Sequence, residues 1–115
     1  MAIKVVLDIF SGRPNPGWAL DSAREAEFLS RLMQLQPAPE VAPNPPILGY
    51  RGFIVRPSTD SNLDREVRVY GGLVRHEDET YQDPDRSLER WLLDNAGSNL
   101  ESNLVATVSK GLGLP

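Results

Sequence analysis

Apolar residues alternate with polar ones at the start of the chain and recur at helical spacing soon afterwards. The alternation predicts a strand over residues 3–10, one face of which carries Ile3, Val5, Leu7 and Ile9. The prolines and glycines of residues 11–17 exclude regular structure and predict a tight loop. Asp21 is a good helix N-cap, and the following helix is predicted to place on the sheet the stripe Phe28, Leu29, Leu32, Met33 and Leu35. This helix must end by Gln36, because Pro37 disfavours helical backbone in the residue before it.

A proline-rich stretch follows this helix. Five of the ten prolines fall in residues 37–46, which predicts an extended and largely exposed loop. Beyond it, residues 49–56 and 66–76 are predicted as two strands of an antiparallel hairpin. Gly71 and Gly72 interrupt the second of these strands and indicate a bulge or a close approach to the backbone. By alternation, Arg51 and Arg56 are expected on opposite faces, and so are Arg68 and Arg75.

The last third of the chain contains two helix starts. Asp83 followed by Pro84 predicts a helix that carries Leu88, Trp91 and Leu92 and ends at Gly97. Residues 98–101 have the spacing of a capping box, so a last helix is predicted from there to Gly111. The acidic residues 76–85 predict an exposed loop, since they have neither the glycine nor the spacing of a calcium-binding EF-hand.

The element order is therefore β, α, β, β, α, α. It predicts an α+β fold of two layers, with a small, mostly antiparallel sheet and with the helices gathered on one face. A chain of 115 residues, 40% of them apolar, suits a single domain over residues 1–115. No apolar run approaches the roughly 18 residues of a membrane helix, and the first residues do not form a signal-peptide core. We therefore expect a cytoplasmic protein that does not bind membranes.

Composition excludes several kinds of chemistry. The chain has no cysteine and a single histidine, His76, which excludes disulfides, thiol nucleophiles, thiolate metal sites and sites with two imidazoles. The sequence also lacks a phosphate-binding P-loop, a dinucleotide-binding glycine pattern and a nucleophile elbow. We therefore expect no catalytic residue, no metal and no cofactor. The net charge of −4 argues against nucleic acid as a partner.

The most informative stretch is residues 10–20, Phe-Ser-Gly-Arg-Pro-Asn-Pro-Gly-Trp-Ala-Leu. It resembles the phrase Phe-Ser-Gly-Arg-Pro-Asn-Pro, followed by Trp and Leu, of a group of small bacterial proteins. In that group a Gly-Tyr-Arg-Gly-Phe strand also follows a proline-rich loop, as residues 49–53 do here. The resemblance covers most of the chain and implies one compact domain of bacterial origin. It assigns no role to any residue, because that group has no established activity.

Two X-Pro bonds flank Asn15 and restrict the loop backbone, so Arg13 and Asn15 can present polar groups to a partner at low entropic cost. Residues predicted to contact a ligand or partner are Arg13, Asn15, Trp18, Tyr50, Arg51 and Tyr70. A structural interpretation competes with this one: Arg13 pairs with an acid, Asn15 closes a turn and Trp18 fills the core. Similarly, the arginines of the predicted strands are expected on a solvated face, paired with Asp8, Asp64 or Glu66.

Three functions are compatible with these patterns. The first is a non-catalytic binding or self-assembly module that contacts a peptide, another subunit or a small polar ligand, and exposed sheet edges favour a homo-oligomer. The second is a small hydrolase or lyase that uses Asp8, His76 and Arg13, which requires the three side chains to share a cleft. The third, a nucleic-acid module that uses strand arginines and tyrosines, conflicts with an isoelectric point near 4.9.

Overall fold

The structure is a computed structural model, and it describes residues 3–10, 14–38, 50–57, 65–76, 79–96, 100 and 102–111. The elements within these ranges are β1 (Lys4–Leu7), β2 (Gly17–Ala19), α1 (Ser22–Met33), β3 (Phe53–Arg56), β4 (Val67–Tyr70), β5 (Leu73–His76), β6 (Glu79–Gln82), a 3-10 turn (Pro84–Arg86), α2 (Ser87–Asp94) and α3 (Ser102–Gly111). The strands form one sheet in the order β2-β1-β3-β4-β5-β6, in which all neighbours are antiparallel. The predicted α+β class is confirmed, while the gathering of the helices on one face stays a prediction.

The predicted strand over residues 66–76 is in fact two strands joined by a tight turn. Gly71 and Gly72 have φ angles of 67° and 83°, which a two-residue hairpin turn of the primed type requires and glycine adopts without strain. Because the turn separates two strands, residues that face each other across the hairpin point to the same face of the sheet. Arg68 therefore lies directly opposite Arg75 on one face. The expectation of opposite faces for these two arginines was therefore wrong, because it assumed one continuous strand.

Both edges of the sheet are strands that the sequence pattern did not predict. Gly17 was predicted to end a loop, and Trp18 and Ala19 were assigned to no element, but Gly17–Ala19 pairs with β1 and places Trp18 opposite Val5. Glu79–Gln82 was predicted as part of an exposed acidic loop, but it pairs with β5. Strands of three and four residues carry too few positions for a period of two to be recognised, and tertiary pairing decides their conformation.

The predicted strand over residues 49–56 begins only at Phe53. Gly52 has a φ of 99°, and a Cβ built on it would lie 2.4 Å from the Val69 carbonyl oxygen, so no other residue fits there. The chain bends at this glycine before β3 begins, which separates Tyr50 and Arg51 from the strand.

Helix α1 begins and packs largely as predicted. The Asp21 side chain accepts a hydrogen bond of 2.8 Å from the Arg24 amide, as expected of an N-cap. Phe28 and Leu32 are buried, but Met33 is 85% exposed and does not belong to the packed stripe. Met33 is the last residue of the helix.

The second and third helices begin later than predicted. Asp83 lies before a 3-10 turn, and its carboxylate caps α2 by accepting from the amides of Leu88 at 2.8 Å and Glu89 at 3.1 Å. The turn departs from a regular helix because Asp85 and Arg86 both adopt positive φ angles, 57° and 55°. Helix α3 begins at Ser102, and the predicted cap at Ser98 and helix end at Gly97 lie outside the described residues.

One buried cluster joins the sheet to the three helices. Its members include Ile3, Val5, Leu7, Phe53, Val55, Val67, Val69 and Val74 of the sheet region and Phe28, Leu32, Leu88, Leu92 and Val108 of the helices. Removing this apolar surface from water supplies the main stabilisation of the fold. Among the described residues, no helix is both long and apolar enough to cross a membrane.

Candidate functional site

Asn15 ties together the two ends of the loop that joins β1 to β2. Its Oδ1 accepts hydrogen bonds from the backbone amides of Ile9 at 3.0 Å and Phe10 at 2.7 Å. Its Nδ2 donates to Oδ1 of Asp8 at 3.3 Å. All these groups come from one short stretch of chain, so the side chain of Asn15 fixes the base of the loop on both sides.

Arg51 reaches the same loop base from the segment before β3. Its Nη2 donates to Oδ1 of Asp8 at 2.8 Å and to the carbonyl oxygen of Phe10 at 2.7 Å, and its Nε donates to the same carboxylate oxygen at 3.1 Å. The backbones meet as well: the Arg51 amide donates to the Asp8 carbonyl and the Asp8 amide donates to the Gly52 carbonyl. Asp8, Asn15 and Arg51 are hereafter called the loop-base cluster.

A second arginine approaches the carboxylate of the loop-base cluster. Arg68 lies with Nη1 3.7 Å from Oδ2 of Asp8, so each carboxylate oxygen faces a guanidinium. Asp8 is 9% exposed, its Oδ1 already accepts hydrogen bonds from Arg51 and Asn15, and its Oδ2 faces Arg68. It is therefore suited to holding the loop in place and poorly suited to taking a proton from a substrate.

The structure separates the predicted contact residues into three groups. Asn15 and Arg51 meet in the loop-base cluster, while Arg13 lies outside the described residues. Trp18 points into the core, where it packs edge-on against Phe53 with ring centroids 6.2 Å apart. Its Nε1 is buried and has no hydrogen-bond partner in the described part of the chain.

Tyr50 and Tyr70 belong to a different cluster, which forms around the buried carboxylate of Glu89. The two tyrosine rings lie edge to face at 5.6 Å, and the Tyr50 hydroxyl donates to Oε2 of Glu89. The Gly71 amide donates to Oε1 of Glu89 at 3.0 Å. Arg86 donates to both carboxylate oxygens, from Nε to Oε1 at 2.9 Å and from Nη2 to Oε2 at 2.7 Å. We call Tyr50, Arg86, Glu89 and the Gly71 amide the turn cluster.

Burial and charge perturb the groups of the turn cluster. Burial raises the pKa of Tyr50 far above its ordinary value, and the neighbouring Glu89 carboxylate raises it further. The hydrogen bond to Glu89 raises the pKa of Arg86 against the opposing effect of burial. Sequence reasoning missed Arg86 and Glu89, since Glu89 sits on a helix at a position that the pattern could not distinguish from a solvated one.

Two members of the proposed catalytic grouping, Asp8 and His76, lie far apart in the sheet, and the third, Arg13, lies outside the described residues. Asp8 follows the carboxyl end of β1, and His76 is the last residue of β5. Because β5 runs antiparallel to β1, these two strands end at opposite edges of the sheet along the strand direction. Two strands lie between β1 and β5, so the spacing across the sheet alone separates the two residues by about 14 Å. This arrangement contradicts the requirement for a shared cleft.

Other potential sites among the described residues are few. A cavity of about 320 Å³ lies between the end of α1 and the start of α2, lined by Arg31, Gln34, Leu35, Asp83, Pro84, Asp85, Ser87 and Leu88. It contains no described residue of the predicted site. The described ranges hold no cluster of three or more His, Cys, Asp or Glu side chains able to bind a metal ion.

Comparisons with family models, with curated proteins and with solved structures find no match to this chain. The resemblance of residues 10–20 to small bacterial proteins therefore stays a prediction. What the protein does has to be inferred from its own residues.

Proposed function

We propose that the protein is a non-catalytic binding or self-assembly module whose contact surface is the loop of residues 10–16 together with the edge strand β2. Its partner is a second copy of the chain, with another protein or a small polar ligand as the alternative. A cytoplasmic location and a bacterial origin belong to the same proposal.

The observation that carries the proposal is the loop-base cluster. The side chains of Asn15 and Arg51 make at least six hydrogen bonds to Asp8, Ile9 and Phe10, which restrict the ends of the loop before any partner arrives. A pre-ordered loop loses less conformational entropy on binding than a flexible one. Arg13 occupies the middle of this loop and carries a guanidinium suited to a carboxylate or a polar backbone group.

The two edges of the sheet also differ in a way that supports this choice of surface. The outer edge of β6 is covered by residues 36–38, through bonds from Ala38 to Thr80 and from Gln82 to Gln36. On β2, the bonds Leu7 to Pro16 and Leu20 to Ile3 fix the ladder so that the backbone groups of Gly17 and Ala19 point away from β1. These groups have no backbone partner among the described residues, and an open edge is a template for pairing with another chain.

Sedimentation of the wild type over a wide range of concentrations tests the proposal. We expect the particle mass to rise with concentration and Arg13→Ala to lower it, while the melting temperature stays near that of the wild type. Arg24→Ala, which removes an exposed arginine of α1, is the matched control and should leave the mass unchanged. A monomer at every concentration would overturn self-assembly, and a loss of mass shared equally by both variants would overturn the role of the loop.

A further inference from the structure

Four basic residues lie on one face of the sheet. Lys4, Arg56, Arg68 and Arg75 are all exposed, and each neighbours in sequence a residue that points into the buried cluster: Val5, Val55, Val67 or Val69, and Val74. Since successive side chains of a strand point to opposite faces, the four cations share the face turned away from the core. We call these four residues and the backbone between them the basic face.

The register places these cations directly opposite one another. Lys4 pairs with Arg56 across β1 and β3, and Arg68 pairs with Arg75 across β4 and β5. Like charges directly opposite in a sheet destabilise it. The fold thus carries two unfavourable pairs on the same face, and neither pair is needed to form the core.

Among the described residues, acidic groups neutralise this face only partly. Asp8 and Glu66 both approach Arg68, at 3.7 and 3.6 Å, and Asp8 is already engaged by Arg51. Lys4, Arg56 and Arg75 form no ion pair with any residue that the structure describes. The chain as a whole carries a net charge of −4, so this face departs in sign from the rest of the molecule.

We propose that the basic face binds an acidic segment of another polypeptide, held in extended form by contacts from its carboxylates to Arg56, Arg68 and Arg75. An arginine binds a carboxylate through two parallel hydrogen bonds, and such a contact relieves the repulsion across the strands. The three arginines lie on the neighbouring strands β3, β4 and β5, so a segment that contacts all of them crosses these strands.

The pattern of charge favours a polypeptide over a nucleic acid. Asp8 and Glu66 lie on either side of Arg68, and they would repel a polymer in which every unit is negative. Binding of single-stranded nucleic acid also relies on aromatic side chains that stack on the bases. Among the described strand residues of this face the aromatic ring is that of Tyr70, which already packs against the Tyr50 ring at 5.6 Å and against the Arg86 guanidinium.

The test measures binding of a peptide of alternating glutamate and threonine, and of an oligothymidylate with the same number of charges, to the full chain at low salt. The informative variant is Arg56→Gln combined with Arg75→Gln, because neither arginine supports the loop-base cluster. The control is Arg24→Gln combined with Arg90→Gln, which changes the charge equally at exposed helix positions. Melting temperature is recorded for every variant.

We expect the peptide to bind the wild type and the control alike, and to bind the sheet variant about tenfold more weakly, as the loss of two exposed ion pairs implies. The sheet variant should melt at the same temperature as the wild type or higher, since like-charge repulsion is removed. If these arginines had only a structural role, the sheet variant would have both a lower affinity for the peptide and a lower melting temperature. Equal peptide binding by all three proteins, or tighter binding of the oligothymidylate with the same dependence on Arg56 and Arg75, would overturn the proposal.

Discussion

Two carboxylates, those of Glu89 and Asp8, each bind an arginine, and they connect different parts of the chain. Glu89 is fully buried and accepts from Tyr50, Gly71 and Arg86, so it links α2 to the β4–β5 turn and to the segment before β3. Asp8 is 9% exposed and, with Asn15 and Arg51, fixes the base of one loop. The difference teaches that the partners of a carboxylate decide what it stabilises: the turn cluster joins a helix to the sheet, and the loop-base cluster joins the segment before β3 to the base of one loop.

Removing the buried carboxylate should have the largest effect. Glu89→Ala leaves Arg86, the Tyr50 hydroxyl and the Gly71 amide without their shared acceptor, and we expect a loss of about 3 to 5 kcal/mol in the free energy of unfolding. Urea unfolding measures it. Glu89→Gln retains an acceptor for these donors and should lose less. If Glu89→Ala were as stable as the wild type, the turn cluster would not contribute to the stability of the fold.

Removing the carboxylate of the loop-base cluster should cost less and act locally. Asp8→Ala takes the charged acceptor from Arg51, for which we expect a loss of about 1.5 to 3 kcal/mol. Amide hydrogen exchange should accelerate at Ile9 and Phe10 and remain slow in α2. Uniform acceleration throughout the chain would show instead that Asp8 stabilises the whole fold, and the contrast between the two clusters would disappear.

A third carboxylate, that of Asp83, should make the free energy of unfolding depend on pH. Burial raises the pKa of Asp83 above its ordinary value of 3.8, although two backbone hydrogen bonds oppose the shift. The folded state therefore binds the proton more tightly than the unfolded state, and the free energy of unfolding falls as pH rises through the window from 3.8 to the raised pKa. Relative to Asp83→Asn, the wild type should gain stability as pH falls through that window. Unfolding of both proteins at several pH values checks this, and a difference that does not vary with pH would contradict it.

The smallest expected effect comes from placing a new carboxylate on the exposed face of the sheet. Arg75→Glu faces Arg68 across the hairpin and replaces a like-charge pair with an opposite one. We expect a gain of about 0.2 to 1 kcal/mol in the free energy of unfolding, which high salt should diminish. Arg90→Glu on α2 makes the same charge change without a facing arginine and serves as the control. A loss of stability would mean that Arg75 makes a favourable contact on this face.

Local sequence predicted the parts of the fold that depend on nearby residues. The alternation of β1, the cap at Asp21 and the burial of Phe28 and Leu32 each follow from side chains within a few positions of one another. The restricted backbone around Asn15 was also predicted, from the prolines on either side of it. Its hydrogen bonds to Ile9 and Phe10, six and five residues earlier, were not predicted.

The tertiary structure alone decided which distant groups meet. Arg51 lies 43 residues from Asp8, Tyr50 lies 39 residues from Glu89, and no local pattern connects either pair. The hairpin turn at Gly71 and Gly72 shows the same limit at short range, since the choice between a bulge and a turn determines whether Arg68 and Arg75 share a face. Periodicity identifies the buried face of an element, but the register between elements follows from the packing of the whole core. The two polar clusters and the basic face all depend on that register.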